Sequence, residues 1–333
     1  MSRTAASGSL RSGANAVRML VLALCAVACV GAAEPVPVAS PPAFRAALAT
    51  RAPFMAIAHA GARLVAVGDY GVVILSDDRG ATWRQAHAVA TRDLLTAVTF
   101  VDAAVGFAVG HGGVILRTVD GGENWLRLHV RDGDAALLGV WFEDARHGIA
   151  VGSFGLALET RDGGERWNEI SVGEGENRDR HLNGIFALKG GAVVITAEAG
   201  TLFRRSDGGK PWVMQRMSYN GSLWGGLALA DGAAVVYGMR GHVLRSDDQG
   251  NTWNDVPTGT DRSLTGAVQL ADGAIVLVGL GGAVLHSSDG GRSYTASISP
   301  ERETFTAISE GAPGQVVVAS LAGMEKPAAA AAR

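Results

Sequence analysis

Short apolar runs separated by glycine-bounded turns dominate the chain. Leu64-Val65-Ala66-Val67 and Val72-Val73-Ile74-Leu75 flank the turn Gly68-Asp69-Tyr70-Gly71. Runs this short, bounded by glycine, read as buried β-strands rather than helices. The turn recurs as Val109-Gly110-His111-Gly112-Gly113, Val151-Gly152-Ser153-Phe154-Gly155, Thr196-Ala197-Glu198-Ala199-Gly200, Tyr237-Gly238-Met239-Arg240-Gly241 and Val278-Gly279-Leu280-Gly281-Gly282. No helical pattern follows these glycines, which rules out a dinucleotide-binding loop.

A second element follows each turn. Ser76-Asp77-Asp78-Arg79-Gly80-Ala81-Thr82-Trp83 returns with Asp120 and Trp125, Asp162 and Trp167, Asp207 and Trp212, Asp248 and Trp253, and Asp289 and Tyr294. The Asp side chain can bond backbone N–H groups of its own turn, and glycine tolerates the backbone conformation. The closing aromatic is an apolar wedge whose polar atom needs a partner. The box therefore reads as structural, a turn lock plus a wedge. Its fourth copy is degenerate, with Arg205 in place of Ser/Thr and Pro211 ahead of Trp212.

The closing aromatics are 42, 42, 45, 41 and 41 residues apart. A third column, Phe54, Leu95, Leu138, Leu182, Leu223, Leu264 and Phe305, opens seven units against six boxes. A period of 41–45 residues filled with short strands specifies an all-β, seven-bladed β-propeller of four-stranded blades. The alternative is six blades plus a terminal strap. The propeller is expected to span residues 54–323. The seventh unit keeps only Phe305–Ile308 and Val316–Ser320, so the 34–53 segment, near Val36–Val38, is expected to complete it and remove an open sheet edge. Phe44–Thr50 reads as a short helical turn, and 324–333 as a frayed tail.

Composition adds compartment and charge. The 33 residues at the start carry Arg3, Arg11 and Arg18, then an apolar stretch from Met19 to Val30, then Gly31-Ala32-Ala33. This is the order of a secretory signal cleaved before Glu34. The apolar stretch is shorter than the ~20 residues of a membrane span. A second reading takes Ala26-Val27-Ala28-Cys29 as a poor lipobox with Cys29 lipidated. Both cysteines, Cys25 and Cys29, lie in this segment, so a chain cleaved at Glu34 has no disulfide, thiolate metal site or cysteine nucleophile. Removing three arginines leaves 26 basic against 32 acidic residues, a net charge of −6. Nucleic acid is a poor partner for that balance. The eight histidines show no metal-ligand spacing. No metal or cofactor is expected, and the chain reads as a monomer.

The Val-Gly-x-x-Gly turn, the Thr/Ser-x-Asp-Gly-Gly-x-x-Trp box and the 41–45-residue period together resemble the photosystem II stability/assembly factor propellers and their bacterial relatives. The resemblance spans about residues 54–320. It implies a lumenal or periplasmic, non-catalytic propeller that helps assemble a membrane protein complex. The box alone also occurs in sialidases, so a glycan-binding protein or sialidase-like glycosidase is the alternative. That alternative lacks a Phe/Tyr-Arg-Ile-Pro motif near the start of the propeller, and leaves only Tyr70 and Tyr219 as possible nucleophiles.

In a four-stranded blade the turn between the second and third strands shares a face with the connection to the next blade. Asp69, Tyr70, His111, Phe154, Glu198 and Arg240 should therefore gather with Arg92, Arg131, Arg180, Tyr219, Arg262 and Arg302 around one mouth of the channel. Arginine suits bidentate recognition of carboxylates. The plainer reading is that these are solvated loops, since arginine outnumbers lysine 26 to 3 throughout the chain. Acid pairs in the loops, Glu174/Glu176 and Glu301/Glu303, are weak general acid/base candidates. The export reading has a direct check. Intact mass of the protein recovered from the periplasm should fit a chain beginning near Glu34, and an acylated chain beginning at Cys29 would replace that reading.

Overall fold

The computed structural model describes residues 41–128, 135–207, 209–325 and 328–329. The signal segment and Val36–Val38 lie outside the described residues. From Ala39 on, the chain forms one compact unit. Seven sheets follow one another along it, each built on an antiparallel meander from its inner strand outward, and the second gains a fifth, parallel strand where Ala88–Val89, from the connection that precedes it, pairs with Asn124–Trp125. The seven inner strands are Phe54–Ala60, Leu95–Phe100, Leu137–Phe142, Leu182–Ala187, Leu223–Ala228, Leu264–Gln269 and Phe305–Glu310. Each touches the next, and the last returns to the first, so the ring is closed. This is the seven-bladed propeller that the repeat specifies.

The column of opening residues is a pairing register. Phe54 pairs with Gly68, Leu95 with Gly110, Leu137 with Gly152, Leu182 with Ala197, Leu223 with Gly238, Leu264 with Gly279 and Phe305 with Ser320. In the third blade the column residue is Leu137, not Leu138. Two adjacent leucines cannot be told apart by period alone, and strand pairing buries Leu137 completely. The partner column is mostly glycine because the chain comes so close. A Cβ on Gly68 would lie 2.0 Å from the carbonyl oxygen of Pro53.

Every inner strand bulges at its second residue. A bulge re-aims a side chain. Here it lets a polar side chain reach the next blade. Thr96 Oγ1 donates to Leu137 O at 2.6 Å, Asn183 Nδ2 to Leu223 O at 2.9 Å, and Thr265 Oγ1 to Phe305 O at 2.8 Å. Thr306 Oγ1 makes the same bond to Phe54 O and joins the last blade to the first. Ser309 and His59 add a second contact across that seam at 2.9 Å.

The seventh sheet lacks a fourth strand of the usual kind. Gly323–Met324 and Ala328–Ala329 both pair with Gln315–Ser320. Thus part of the stretch read as a tail is strand. The described part of the N-terminal segment adds no strand to this sheet. It forms a single 3-10 turn, Ala49–Arg51, with Ala49 buried among Phe54, Ala66, Ile74 and Ala319.

The boxes lie on the face opposite the turns. In the first, Thr82 N–H and Oγ1 donate to the Asp78 carboxylate, Ser76 Oγ donates to it at 2.8 Å, and Gly80 N–H donates to Ser76 Oγ. The same pattern holds at Asp120, Asp248 and Asp289. At Asp162 it is kept except for the side-chain bond from the residue before Trp167, which is Arg166. Each aromatic enters the core between two blades. Trp125 goes deepest: it is 1% exposed, meets Phe100 edge-on, and donates Nε1 to Gly122 O at 2.9 Å. The buried Nε1 of Trp83, Trp167 and Trp253 find no partner among the described residues.

The fourth box follows different physics. Arg205 stands where the hydroxyl should be, and Asp207 bonds only its local turn, through Gly209 N–H and Lys210. Arg205 instead lies 5% exposed over the Trp212 ring and pairs with Glu159 at 3.3 Å. Burial pushes the Glu159 carboxyl up. The His147 hydrogen bond and the charges of Arg161 and Arg205 outweigh that and hold it below the ordinary glutamate range.

Two stability outcomes follow. Trp125→Ala should cost about 3–5 kcal/mol in denaturant melts, the usual cost of deleting a buried aromatic. Trp212→Ala, at the half-buried fourth position, should cost less. The second outcome concerns acid. Hydrogen bonds from Thr82 and from Thr252 lead the causes that lower the Asp78 and Asp248 carboxyls to about 2. Their folded pKa is below that of the unfolded chain, near ~3.9. Their stabilisation is therefore present above pH ~4 and is lost as pH falls toward ~2. Asp78→Asn with Asp248→Asn should flatten the acid limb of stability against pH; an unchanged limb would refute the turn-lock role.

Candidate functional site

Backbone bonds settle which loops share a face. Asp69 N–H donates to Pro53 O, His111 to Leu94 O, Ser153 to Ala136 O, Met239 to Ser222 O and Leu280 to Ser263 O. Each bond ties a second-to-third-strand turn to the connection entering the same blade. The turns and the connections therefore crowd one mouth of the ring, as the strand order requires.

The turns have a left-handed middle residue, and five of the six are single 3-10 turns, the Ala199 turn being the exception. Gly112 and Gly281 fill that position in two of them. Tyr70 (φ 52°), Phe154 (φ 55°), Ala199 (φ 53°) and Arg240 (φ 53°) fill it elsewhere. A non-glycine residue there costs on the order of 1 kcal/mol or more. Tyr70 and Phe154 recover little by packing, since they are 66% and 71% exposed. Phe154 rests beside His181, ring centroids 4.8 Å apart, and its N–H donates to His181 Nδ1. Two aromatic rings and one guanidinium thus project from this face on strained turns.

The candidate arginines divide into two groups. Arg92 is committed: its Nε donates to Pro42 O at 2.8 Å and its guanidinium covers the Phe44 ring at 3.4 Å. It holds the N-terminal segment and is not open to a partner, a role the sequence could not show because Phe44 is 48 residues away. Arg131 lies outside the described residues. Arg180 Nε donates to Asn177 Oδ1 at 2.8 Å, and Arg262 rests against the Gly281 turn. Arg240 and Arg302 are exposed. Among the described residues none of Arg180, Arg240, Arg262 and Arg302 has a carboxylate partner within 4.0 Å. The other face differs. There Arg63 and Arg84 share Asp77 and Glu123, and Arg245 binds Asp231 and Asp247.

Tyr219 is a wall rather than a reactive group. Its hydroxyl donates to Met239 O at 3.1 Å and its ring stacks on His242 at 3.6 Å. Burial pushes its phenol up, against a smaller opposing effect of Arg240, so the ring stays neutral at physiological pH. It borders a groove of about 890 Å³ on blade 5, with Arg240 and Asn220 beside it and Asp255, Gly259 and Asp261 opposite. This groove has no linear signature, because its walls come from three separate loops. Tyr70 remains an exposed side chain whose backbone N–H donates to the Asp69 carboxylate at 2.8 Å. Among the described residues no group of three or more His, Cys, Asp or Glu side chains could hold a metal ion.

The comparisons with known proteins agree with the repeat. The family model described as photosynthesis system II assembly factor YCF48 matches residues 122–276. The structure of YCF48 bound to a D1 peptide is 18% identical, with 87% of this chain and 98% of that one covered and a TM-score of 0.67. YCF48 from Cyanidioschyzon merolae is 17% identical, with 83% and 95% covered and a TM-score of 0.65. A streptogramin B lyase is 12% identical, with 84% and 94% covered and a TM-score of 0.71. At such identities the structures share the fold, and the family likeness rests on the sequence repeat. No curated protein matches the chain.

Proposed function

We propose that this chain, a photosystem II assembly factor-like propeller, is an exported, non-catalytic scaffold that holds a subunit of a membrane protein complex against its turn face. The observation that carries the reading is the retention of Tyr70, Phe154 and Arg240 at left-handed turn positions. The ring would fold more easily with glycine at each, so these side chains earn their place by what they touch outside it. Arginine and aromatic residues are the types that dominate interface energies. Four arginines without carboxylate partners complete the surface. A folded partner covering it would bury on the order of 1,600 Å² in total.

Two further observations support the assignment. A similar propeller binds a D1 peptide. And the glycosidase alternative loses Tyr219 as its nucleophile, because that hydroxyl is occupied by a backbone carbonyl and its phenol is pushed up rather than down, which leaves it only the exposed Tyr70. The opposite face is less suited to binding, since its box Asp carboxylates are engaged by their own turns and Arg63, Arg84 and Arg245 are paired with Asp77, Glu123, Asp231 and Asp247.

The test compares the faces. Arg180→Glu with Arg262→Glu should reduce co-purification of an identified membrane subunit at least about tenfold while the melting curve is unchanged, since a small set of side chains carries most interface energy. Arg79→Glu with Arg166→Glu, two exposed box-side residues, should have little effect. The reverse result would place the partner on the box face. Turnover of aryl sialosides that disappears in Tyr219→Phe would replace the scaffold reading with an enzymatic one.

A further inference from the structure

Blade 1 holds in place what blade 5 leaves open. The segment Pro42–Ala46 lies as an extended strap along the outer strand of blade 1 and the connection to blade 2, where Ala88–Val89 pairs with Asn124–Trp125. Ala43 N–H donates to Val89 O at 2.9 Å. The Gln85 side chain grips the next stretch twice, donating Nε2 to Phe44 O at 2.6 Å and accepting Ala46 N–H at 3.0 Å. Arg45 Nη2 reaches His87 Nδ1 at 3.4 Å, and Arg92 holds Pro42 O and the Phe44 ring.

The repeat maps these holders onto blade 5. Trp83 corresponds to Trp253, and the third strands Val73–Ser76 and Val243–Ser246 correspond. Counting on, Gln85 corresponds to Asp255, His87 to Pro257 and Val89 to Gly259. The connections re-align at Thr91 and Thr260: a Cβ on Gly71 or Gly241 would lie 2.1 Å from their respective carbonyl oxygens. Arg92 therefore corresponds to Asp261. The four residues that hold the strap on blade 1 are, in blade 5, four residues that line the 890 Å³ groove.

We infer that the blade 5 groove binds an extended peptide segment in the register of the strap, with a lysine or arginine where the strap has Phe44. The backbone part is open to the same use, because Gly259 lines the groove at the position of Val89. The side-chain part is changed. Asp255 can accept a hydrogen bond as Gln85 does but cannot donate one, and one of its oxygens already accepts Ser218 Oγ at 2.6 Å. Asp261, exposed, replaces the guanidinium that covers Phe44. Two carboxylates, against Arg240 as the one arginine of the lining, stand where the strap meets an amide and a cation, and they favour a cation on the incoming chain. A peptide laid along a preformed blade edge is a common mode of recognition. This rests on the reading of the turn face as the partner surface and names the chemistry of one segment of that partner.

The experiment uses the full chain and two fluorescent peptides: residues 41–47 as they stand, and the same peptide with Phe44→Lys. Anisotropy titration should show saturable binding of the lysine peptide and at least about tenfold weaker binding of the unaltered one. Asp261→Lys with Asp255→Asn should raise its Kd at least about tenfold with no change in melting. Arg79→Glu with Arg166→Glu, exposed on the box face away from the groove, should leave it alone. The inference falls if neither peptide saturates by about 1 mM, if both bind alike, or if the acid variant binds normally. Failure here with loss of the membrane subunit in Arg180→Glu with Arg262→Glu would leave the partner face standing. Peptide binding without any effect of those arginines on the subunit would do the opposite.

Discussion

Closure of the ring is the constraint on which the molecule depends. A blade is a thin sheet that cannot bury both faces alone, so each borrows its neighbour's. That borrowing is complete only if the seventh blade meets the first. Here the seam is made by side chains and packing. The Thr306 hydroxyl bonds Phe54 O, Ser309 meets His59, and Ala49 of the N-terminal segment fills the space between Phe54 and Ala319. The Thr306 bond copies those that tie blade 2 to 3, 4 to 5 and 6 to 7, so the seam is one more inter-blade joint.

The two faces of the ring then diverge for a local reason. On the box side each turn has its own acceptor, the Asp carboxylate, and its own wedge. In five of the six boxes the Asp carboxylate is taken up by its own turn, and little of it remains for a partner. On the other side the turns are held by backbone bonds to the adjoining connections, which leaves Tyr70, Phe154 and Arg240 at their middle positions exposed. A position that the backbone would rather give to glycine carries tyrosine, phenylalanine or arginine there. The cost is local strain, and the return is a set of large groups projecting from a rigid support.

The strap shows how the same scaffold accommodates an extended chain. It uses a blade's own carbonyl, one amide side chain and one guanidinium, none of which belongs to the turn lock. Because the blades repeat, such a seat exists wherever the corresponding residues are open, and substitution at two or three positions changes what it accepts without disturbing the fold. Pseudo-symmetry thus supplies the geometry and the departures from it supply the specificity.

The sequence by itself determined the strands, the turns, the boxes and the number of blades, because each rests on local chemistry repeated at a fixed interval. It also placed the turns and boxes on opposite faces, which follows from strand order alone. Tertiary structure decided whatever depends on contacts across the repeat. Leu137 rather than Leu138 enters the core because pairing with Gly152 selects it. Arg205 looked like a damaged box residue, yet it is a buried cation whose partner, Glu159, sits a full blade earlier. Arg92 and Tyr219 looked like open binding groups; a distant Phe44 and the Met239 carbonyl occupy them. The blade 5 groove has no linear signature, since three loops meet to form it. Periodicity reports what each residue does within its own blade, and only the closed ring reveals which residues of other blades it meets.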